Sequence, residues 1–424
     1  MKFLKALILF SVLLSFSANA LLEVNIMKSK EELLPIVIVP FEVIGDTKLE
    51  EDFTSIIRDD LSKSGHFNVT FTNNVNFNFL KEHKKDAVVF GKIAQPPGSQ
   101  TFNVDLYIFD VYSEKKLYSK RIGFTTESIR KVAHILSDKI YETLLGQKGA
   151  FNTKLTYVTV TNNENGDPTY RLVISDYDGH NPQVLDNSLD PILSPTWSSD
   201  LKKLAYVSFK NRRSEVFIKY PYWGMRDEKL PRFDGIASSP SWHPDGESIA
   251  LTISKNGNKD IYLYNLKTKE TTRLTTNVAI DTEANFSPDG KNIAFTSNRT
   301  GQVQIYIKNL ETGKISRATF KGRYNAKPVF SPDGKDLALV HRVGKDYRIA
   351  ILNISTRDLT VLTQNKSDES PYYSPNGGMI IFATNRDNKG ILSIISLHNN
   401  QATKFLTQKD SFIREPSWSN YLRK

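Results

Sequence analysis

Apolar and polar positions follow two different rhythms along this chain of 424 residues, and the change of rhythm near residue 150 divides it. Before that point, β-branched and aromatic runs bounded by turn residues predict strands at Pro35–Phe41, Ala87–Ile93 and Phe102–Val111. Gln95–Gln100 reads as the hairpin loop between the last two. Helical spacing appears twice. Phe53, Ile56, Ile57 and Leu61 predict a helix over Glu51–Ser62, ahead of Gly65. Ile129, Val132, Ala133, Leu136, Ile140 and Leu144 predict one over about Glu127–Leu145, stopped by Gly146. Each helix has one apolar stripe, so a small sheet covered by the two helices is the expected packing.

From Leu155 onward the pattern is short apolar strands between Asn/Asp/Gly turns. A unit of Pro-x-aromatic, a polar turn and a strand recurs at Pro195–Val207, Pro240–Thr252, Ala284–Thr296, Pro328–Val340 and Pro371–Ala383, with a truncated copy at Pro416–Ser419. Its anchors Trp197, Trp242, Phe286, Phe330, Tyr373 and Trp418 lie 45, 44, 44, 43 and 45 residues apart. A period in this range marks a propeller or a solenoid. In the most regular copy, Ser287-Pro288-Asp289-Gly290 makes a tight turn, and Ile293–Ser297, Gln304–Lys308 and Ile315–Thr319 supply three further strands. Four antiparallel strands make one propeller blade.

There are six anchors but five complete cycles. The missing pieces are three strands at the front, Leu155–Val160, Arg171–Ser175 and Gln183–Leu185, and an orphan strand around Trp418. Joined, they form a sixth blade that closes the ring without free edges. The expected architecture is therefore multidomain: a small mixed α/β domain over 21–150, then a six-bladed β-propeller over 151–424 closed by the C-terminal strand. The junction is expected near Gly149–Thr153.

The first twenty residues read as a secretory signal peptide. Lys2 and Lys5 precede an apolar run from Ala6 to Phe16, and Ala18-Asn19-Ala20 offers a cleavage point. The run is short for a membrane span, so an exported, uninserted chain is expected. With no cysteine, neither disulfides nor a thiolate metal site can form. Without the two leader lysines the 56 Lys+Arg become 54, against 46 Asp+Glu, a net of +8. These charges are dispersed, and no basic helix or motif supports nucleic-acid binding.

Nothing in the motifs supports catalysis. The seven histidines show no ligand spacing, there is no Gly-x-Ser-x-Gly elbow, and no Walker or dinucleotide fingerprint occurs. The Asp-Gly turns at Asp245, Asp289 and Asp333 do not continue as calcium loops. No cofactor is expected.

Function is therefore sought at the propeller's mouth, among residues just upstream of each repeat. Three places before the anchors stand Ser194, Ser239, Glu283, Lys327, Ser370 and Glu415. One or two places earlier stand Asp281, Thr282, Asn325, Asp368, Glu369 and Arg414. If loops entering the inner strands carry them, mixed-charge groups converge on one opening and suit a protein partner. The alternative is an exported propeller enzyme, a lyase or glycan hydrolase, using Glu283, Glu369 and Glu415 as convergent acids. That reading lacks a histidine in those loops.

An exported α/β domain followed by six PxWSPDGKxIAF-type units resembles the TolB family, periplasmic components of the Tol–Pal system. The resemblance is carried further by Gly149–Val158 (GAFNTKLTYV), by Arg171–Gly179 (RLVISDYDG) and by Pro416–Leu422 (PSWSNYL). Ser198-Ser199-Asp200-Leu201 and Ser374-Pro375-Asn376-Gly377 depart from the repeat. The resemblance implies a non-enzymatic role in envelope integrity and cell division. It implies that the mouth residues above bind the lipoprotein Pal, with Ser239, Thr282 and Glu283 on the best-matching loops. It also implies that the segment 21–32, with Leu22, Glu23, Val24, Asn25 and Ile26, engages TolA. Its alternating pattern suits either a docked strand or capture by strand addition. The chain is expected to be a periplasmic monomer.

Overall fold

The computed structural model describes residues 33–45, 49, 51–386, 389–406 and 411–422. The predicted signal peptide and segment 21–32 lie outside these residues.

The N-terminal layer contains β1 (Leu34–Ile38), β2 (Glu42–Ile44), α1 (Phe53–Ser64), β3 (Phe67–Phe71), α2 (Phe77–Glu82), β4 (Ala87–Ala94), β5 (Phe102–Asp110), β6 (Lys116–Phe124) and α3 (Ile129–Leu145). The sheet order is β3-β1-β4-β5-β6, with β2 on β4. Pairing is parallel among β1 to β4 and antiparallel from β4 to β6. Both predicted helices form. Asp52 caps α1 by accepting from the Thr54 N–H at 3.0 Å, and Gly65 ends it in the left-handed region. The pattern reading did not anticipate β2, β3, α2 and β6. β6 is mostly exposed and polar, and β3 and α2 are too short to display a period. Ile36 and Ile38 pack toward α1 and α3, while Val37 and Val88 on the other face meet Leu80 of α2.

Six four-stranded antiparallel sheets follow, and five are continuous in sequence. They are blade I (192–229), II (236–273), III (281–317), IV (325–361) and V (368–406). Blade VI joins the C-terminal strand Ser411–Trp418 to Lys154–Asn162, Pro168–Asp176 and Gln183–Ser188. The last strand is innermost, with Trp418 opposite Leu155, so the ring is closed by its own tail as expected. The anchors are buried between blades. In the most regular turn, Asp289 Oδ1 accepts from Ser287 Oγ at 2.6 Å and from the Lys291 N–H at 3.0 Å. In the irregular first copy Leu201 adopts the left-handed φ of +60° where other copies have glycine, and burial of its side chain accompanies that strain.

The up-and-down order gives each blade two unlike ends. Inner strands begin at an entry face, where linkers arrive from the preceding blade, and finish at the Ser-Pro-Asp-Gly turns of the opposite face. That opposite face carries the α/β layer: the Asn376 amide donates to the Lys148 carbonyl at 3.2 Å and Ser396 Oγ to the Ser64 carbonyl at 2.7 Å. One hydrophobic core runs from the α/β sheet through Phe151, Tyr177 and Trp418 into blades V and VI.

Candidate partner-binding site

Each inner strand breaks register once, between the pairs Leu193/Thr196, Ser238/Ser241, Thr282/Asn285, Ala326/Val329, Glu369/Tyr372 and Arg414/Ser417. The residue in each break is Ser194, Ser239, Glu283, Lys327, Ser370 or Glu415, and all six have φ between +47° and +55°. These are β-bulges, each worth local strain for a non-glycine residue. In five of six cases a proline follows, which has no N–H to leave unpaired in the ladder. The expectation that entering loops carry these residues is corrected here: they lie inside the inner strands, and the bulge turns their side chains out of the sheet.

Those of blades III to VI meet in the throat. Glu283 Oε2 accepts from Thr296 Oγ1 at 2.9 Å and from the Lys327 N–H at 3.1 Å. Lys327 Nζ donates to Ser370 Oγ at 2.9 Å and faces Glu415 Oε1 at 3.8 Å. Burial alone would lower the lysine's pKa, but the carboxylates of Glu415, Glu283 and Glu369 outweigh it and hold the pKa raised. Three carboxylates around one ammonium leave the throat acidic. Ser194, Ser239 and Thr282 are half-buried on the same ring, and Glu369 is exposed.

Other predicted mouth residues are committed within their blades. Asp281 is fully buried and accepts from Arg299 at 2.8 and 3.0 Å. Asn325 is equally buried, bonded to Gln304 Oε1 at 2.9 Å and to His341 Nδ1 at 2.8 Å. Neither borders the cavity at the opening, because each is bonded within its own blade; Asp368, at the same place in blade V, is as buried but does border it. Arg414 lies over the Tyr170 ring, 5.6 Å from its centroid. A cavity of about 570 Å³ beside the throat is bordered by Glu283, Lys327, Asp368, Glu369 and Arg414. Leu22 to Ile26 lie outside the described residues.

The polar pattern did not reveal what surrounds the throat. Apolar side chains stand on the entry face where strands begin or linkers arrive: Leu189 is 66% exposed, Ile236 60%, Val278 97% and Phe412 49%. An apolar rim around a charged centre is suited to excluding water from a docked partner.

The opposite face is tied to the α/β layer by charge. Asp60 of α1 accepts from the Tyr177 hydroxyl at 2.5 Å and pairs with His134 Nδ1 of α3 at 2.8 Å. His134 Nε2 faces Asp178 of blade VI at 3.4 Å, and Arg130 bridges Asp178 and Glu51. Burial would push the imidazole's pKa down, but Asp60 and Asp178 raise it to about 10. The partners His134 and Arg130 overcome the burial of Asp178 and hold that carboxyl well below the usual range. These contacts explain the Arg171–Gly179 motif. The junction motif has a parallel role: Asp138 accepts from the N–H groups of Phe151 at 2.8 Å and Asn152 at 3.2 Å, and Trp418 Nε1 donates to Thr153 Oγ1 at 2.8 Å. Beside this seam lies a larger cleft of about 1370 Å³, bordered by Lys131, Asp138, Tyr222 and Trp223.

Among the described residues no group of three or more His, Asp or Glu could hold a metal, and no helix is long and apolar enough to cross a membrane. Residues 141–422 match the TolB beta propeller domain, and residues 22–117 match the TolB amino-terminal domain. A Tol-Pal system protein TolB from Ruthia magnifica subsp. Calyptogena magnifica is 53% identical over 422 residues, covering 98% of this chain and 99% of the relative. The protein of that name from Nitrosococcus oceani is 40% identical over 413 residues, covering 95% and 94%. The crystal structure of TolB from Acinetobacter baumannii superposes with a TM-score of 0.83 at 36% identity, covering 93% of this chain and 98% of that one. The chain belongs to the TolB family, and the relatives it matches are named for the Tol–Pal system rather than for an enzymatic activity.

Proposed function

We propose that this protein is a periplasmic, non-enzymatic interaction component of the Tol–Pal system. In this reading the entry face of the propeller binds Pal, and the segment Leu22–Ile26 engages TolA. The protein thereby supports outer-membrane integrity and envelope invagination during division. It reaches the periplasm by a cleaved signal peptide and acts as a monomer.

The observation that carries the reading is the inequality of the two faces. One is joined to the chain's own α/β layer through a continuous core and a buried charge network, with a cleft beside the joint. The other leaves an acidic throat inside an apolar rim, and six strained backbone positions aim its side chains. Strain of this kind persists where surrounding structure enforces it and gathers at working sites. Ser239, Thr282, Glu283, Lys327, Glu369, Ser370, Arg414 and Glu415 would meet the partner, with Ser194 beside them. The test is calorimetric titration of the soluble Pal domain and of the TolA C-terminal domain. Glu283→Lys should weaken Pal at least tenfold and leave TolA unchanged, whereas deletion of Leu21–Ile26 should abolish TolA binding and spare Pal. Unaltered Pal affinity in Glu283→Lys would refute the mouth assignment.

A further inference from the structure

Blade V has a buried carboxylate that the fold leaves half-bonded. Asp368 opens its inner strand and is fully buried. Its Oδ1 accepts from Asn365 Nδ2 at 3.1 Å. Its Oδ2, and the hydroxyl of Thr384 paired opposite it, have no hydrogen-bond partner of good geometry among the described residues. Both residues border the cavity of about 570 Å³ on the entry face. Tyr324 and Tyr347 line the same cavity edge-to-face, with ring centroids 5.4 Å apart. Burial pushes the Asp368 carboxyl's pKa up, against hydrogen bonding from the nearby Thr363, Thr384 and Asn365 side chains and the Arg348 charge. Arg348 meets Asp346 at 3.5 Å, and its Nε has no hydrogen-bond partner among the described residues.

Blade III shows how such a carboxylate is completed. Asp281 occupies the equivalent place, opposite Ser297, and Arg299 lies two residues beyond that partner. The guanidinium donates to both oxygens of Asp281 and lies 5.1 Å and 4.7 Å from the ring centroids of Phe295 and Tyr306. In blade V, Thr384 takes the place of Ser297 and Arg386 that of Arg299. There the strand runs on through Arg386, which pairs opposite Lys389 in the ladder and remains exposed. The aspartate is repeated, but the aromatic pair beside it comes from blade IV, where Arg342 lies 5.8 Å from the Tyr324 centroid, and among the described residues no arginine is hydrogen-bonded to Asp368.

We propose that this cavity receives an arginine side chain from a protein partner docked on the entry face. Its guanidinium donates to Asp368 Oδ2 and stacks against Tyr324 and Tyr347, as Arg299 does within blade III. A planar fork suits a carboxylate beside aromatic faces better than an ammonium does. Of the two cations that border the cavity, Lys327 is held by Ser370 and Glu415, and Arg414 lies over Tyr170, while Glu283 and Glu369 add negative charge. The inference deepens the mouth reading and rests on it.

The probes are N-acetylarginine amide, its lysine counterpart and the neutral citrulline analogue of the same shape, titrated into the full chain by calorimetry or saturation-transfer NMR. Arginine should bind at least fivefold tighter than citrulline or lysine. Asp368→Asn, which preserves shape, should erase that preference, and Tyr324→Leu should weaken arginine severalfold. Equal affinity for citrulline, or an unchanged preference in Asp368→Asn, would overturn the proposal. So would a fivefold gain in arginine binding on Arg386→Ala, since the chain's own arginine would then be the occupant. The soluble Pal domain separates the two readings. Pal bound equally by wild type and Asp368→Asn defeats the arginine receptor and leaves the mouth reading standing. Pal bound by neither, with arginine preference intact, defeats the mouth reading.

Discussion

The two faces of the propeller are built from the same repeats, yet one is joined to the α/β layer, with a cleft of about 1370 Å³ left beside the joint, and the other is covered by no further layer of the described chain. On the seam face, short turns and α3 enclose Asp60, Arg130, His134, Tyr177 and Asp178, and the core continues across the boundary. On the entry face, linkers and strand starts expose Leu189, Ile236 and Val278, and bulged strands turn Glu283, Lys327 and Glu415 into the throat. Strand geometry explains the division of labour. In blades I to V the turns between the first two strands are of one length, whereas the linkers between blades differ in length and composition. The C-terminal strand belongs to both faces. It carries Arg414 and Glu415 at the throat and, within the same strand, Trp418, whose ring stacks on Tyr177 at the seam.

The sharpest way to break the contrast is to remove the centre of the seam. His134→Ala leaves Asp60 and Asp178 buried without the imidazolium between them. Breaking one partner out of a buried charge network costs about 3–5 kcal/mol. Urea unfolding should therefore show a large fall in midpoint. Because Asp178 lies on the propeller and His134 on α3, the α/β layer is expected to unfold in a separate, earlier transition. A single transition with unchanged midpoint would mean that the shared apolar core alone holds the faces together.

A smaller effect is expected at the junction motif. A Cβ on Gly149 would lie 2.8 Å from the Asp138 Cα and 2.5 Å from its Oδ1, and the helix backbone cannot retreat. Gly149→Ala should destabilise by about 1–3 kcal/mol, the usual cost of overpacking. The same measurement on Gly166→Ala, where the added carbon meets nothing within 4 Å but φ is +85°, isolates the backbone contribution.

The seam also sets a pH dependence with opposite limbs. His134 has its pKa raised from 6.5 to about 10, so its contribution is complete below about pH 6.5 and is lost as pH rises through 10. His66 of the α/β layer stacks on His398 of blade V at 4.0 Å, and burial followed by the neighbouring histidine lowers its pKa to about 4. It resists protonation when folded, so its contribution is present above about 6.5 and declines as pH falls toward 4. Asp138, pushed by burial to about 6, acts in the other direction, since charging it from pH 3.8 to 6 lowers stability. Midpoints measured from pH 4 to 10 should fall above neutrality in the wild type and stay flat there in His134→Gln. His66→Phe should instead lift the acid limb. If both variants kept the wild-type profile, neither histidine would be titrating at the seam.

What the sequence makes legible follows from how far apart cooperating residues lie. The ring is readable because each anchor sits beside its own turn, within one repeat, and because the orphan strand at Trp418 has no other place to pair. The bulge residues are readable in position, three before each anchor, but not in conformation. Nothing in Glu283 or Lys327 announces a left-handed backbone, which the closed ring imposes. The seam is illegible for a different reason. Asp60, His134 and Tyr177 lie in three segments that meet only through tertiary packing, and each alone looks like a surface polar residue of a helix or turn. Asp281 and Asp368 illustrate the limit best, since they hold equal positions in two repeats but the blade III strand ends at Ser297, whereas the blade V strand runs on through Arg386.

The smallest stability effect belongs to the entry face, and it is the one that gives the comparison functional meaning. Val278 stands 97% exposed on the linker into blade III, so Val278→Asp removes almost no buried area. Surface substitutions of this kind change stability by no more than about 0.5 kcal/mol. The urea midpoint should therefore be indistinguishable from wild type, in contrast to His134→Ala. Partner affinity should respond differently, because a carboxylate placed on the apolar rim of an already acidic throat must be desolvated without a counter-charge when the face is covered. A drop of roughly tenfold or more in Pal binding is expected, about the cost of losing one well-packed interface contact. The dissociation rate should account for most of it, since rim burial is lost after encounter rather than before it. A variant that is as stable as wild type but binds Pal equally well would show that the rim is merely exposed, and would confine recognition to the throat.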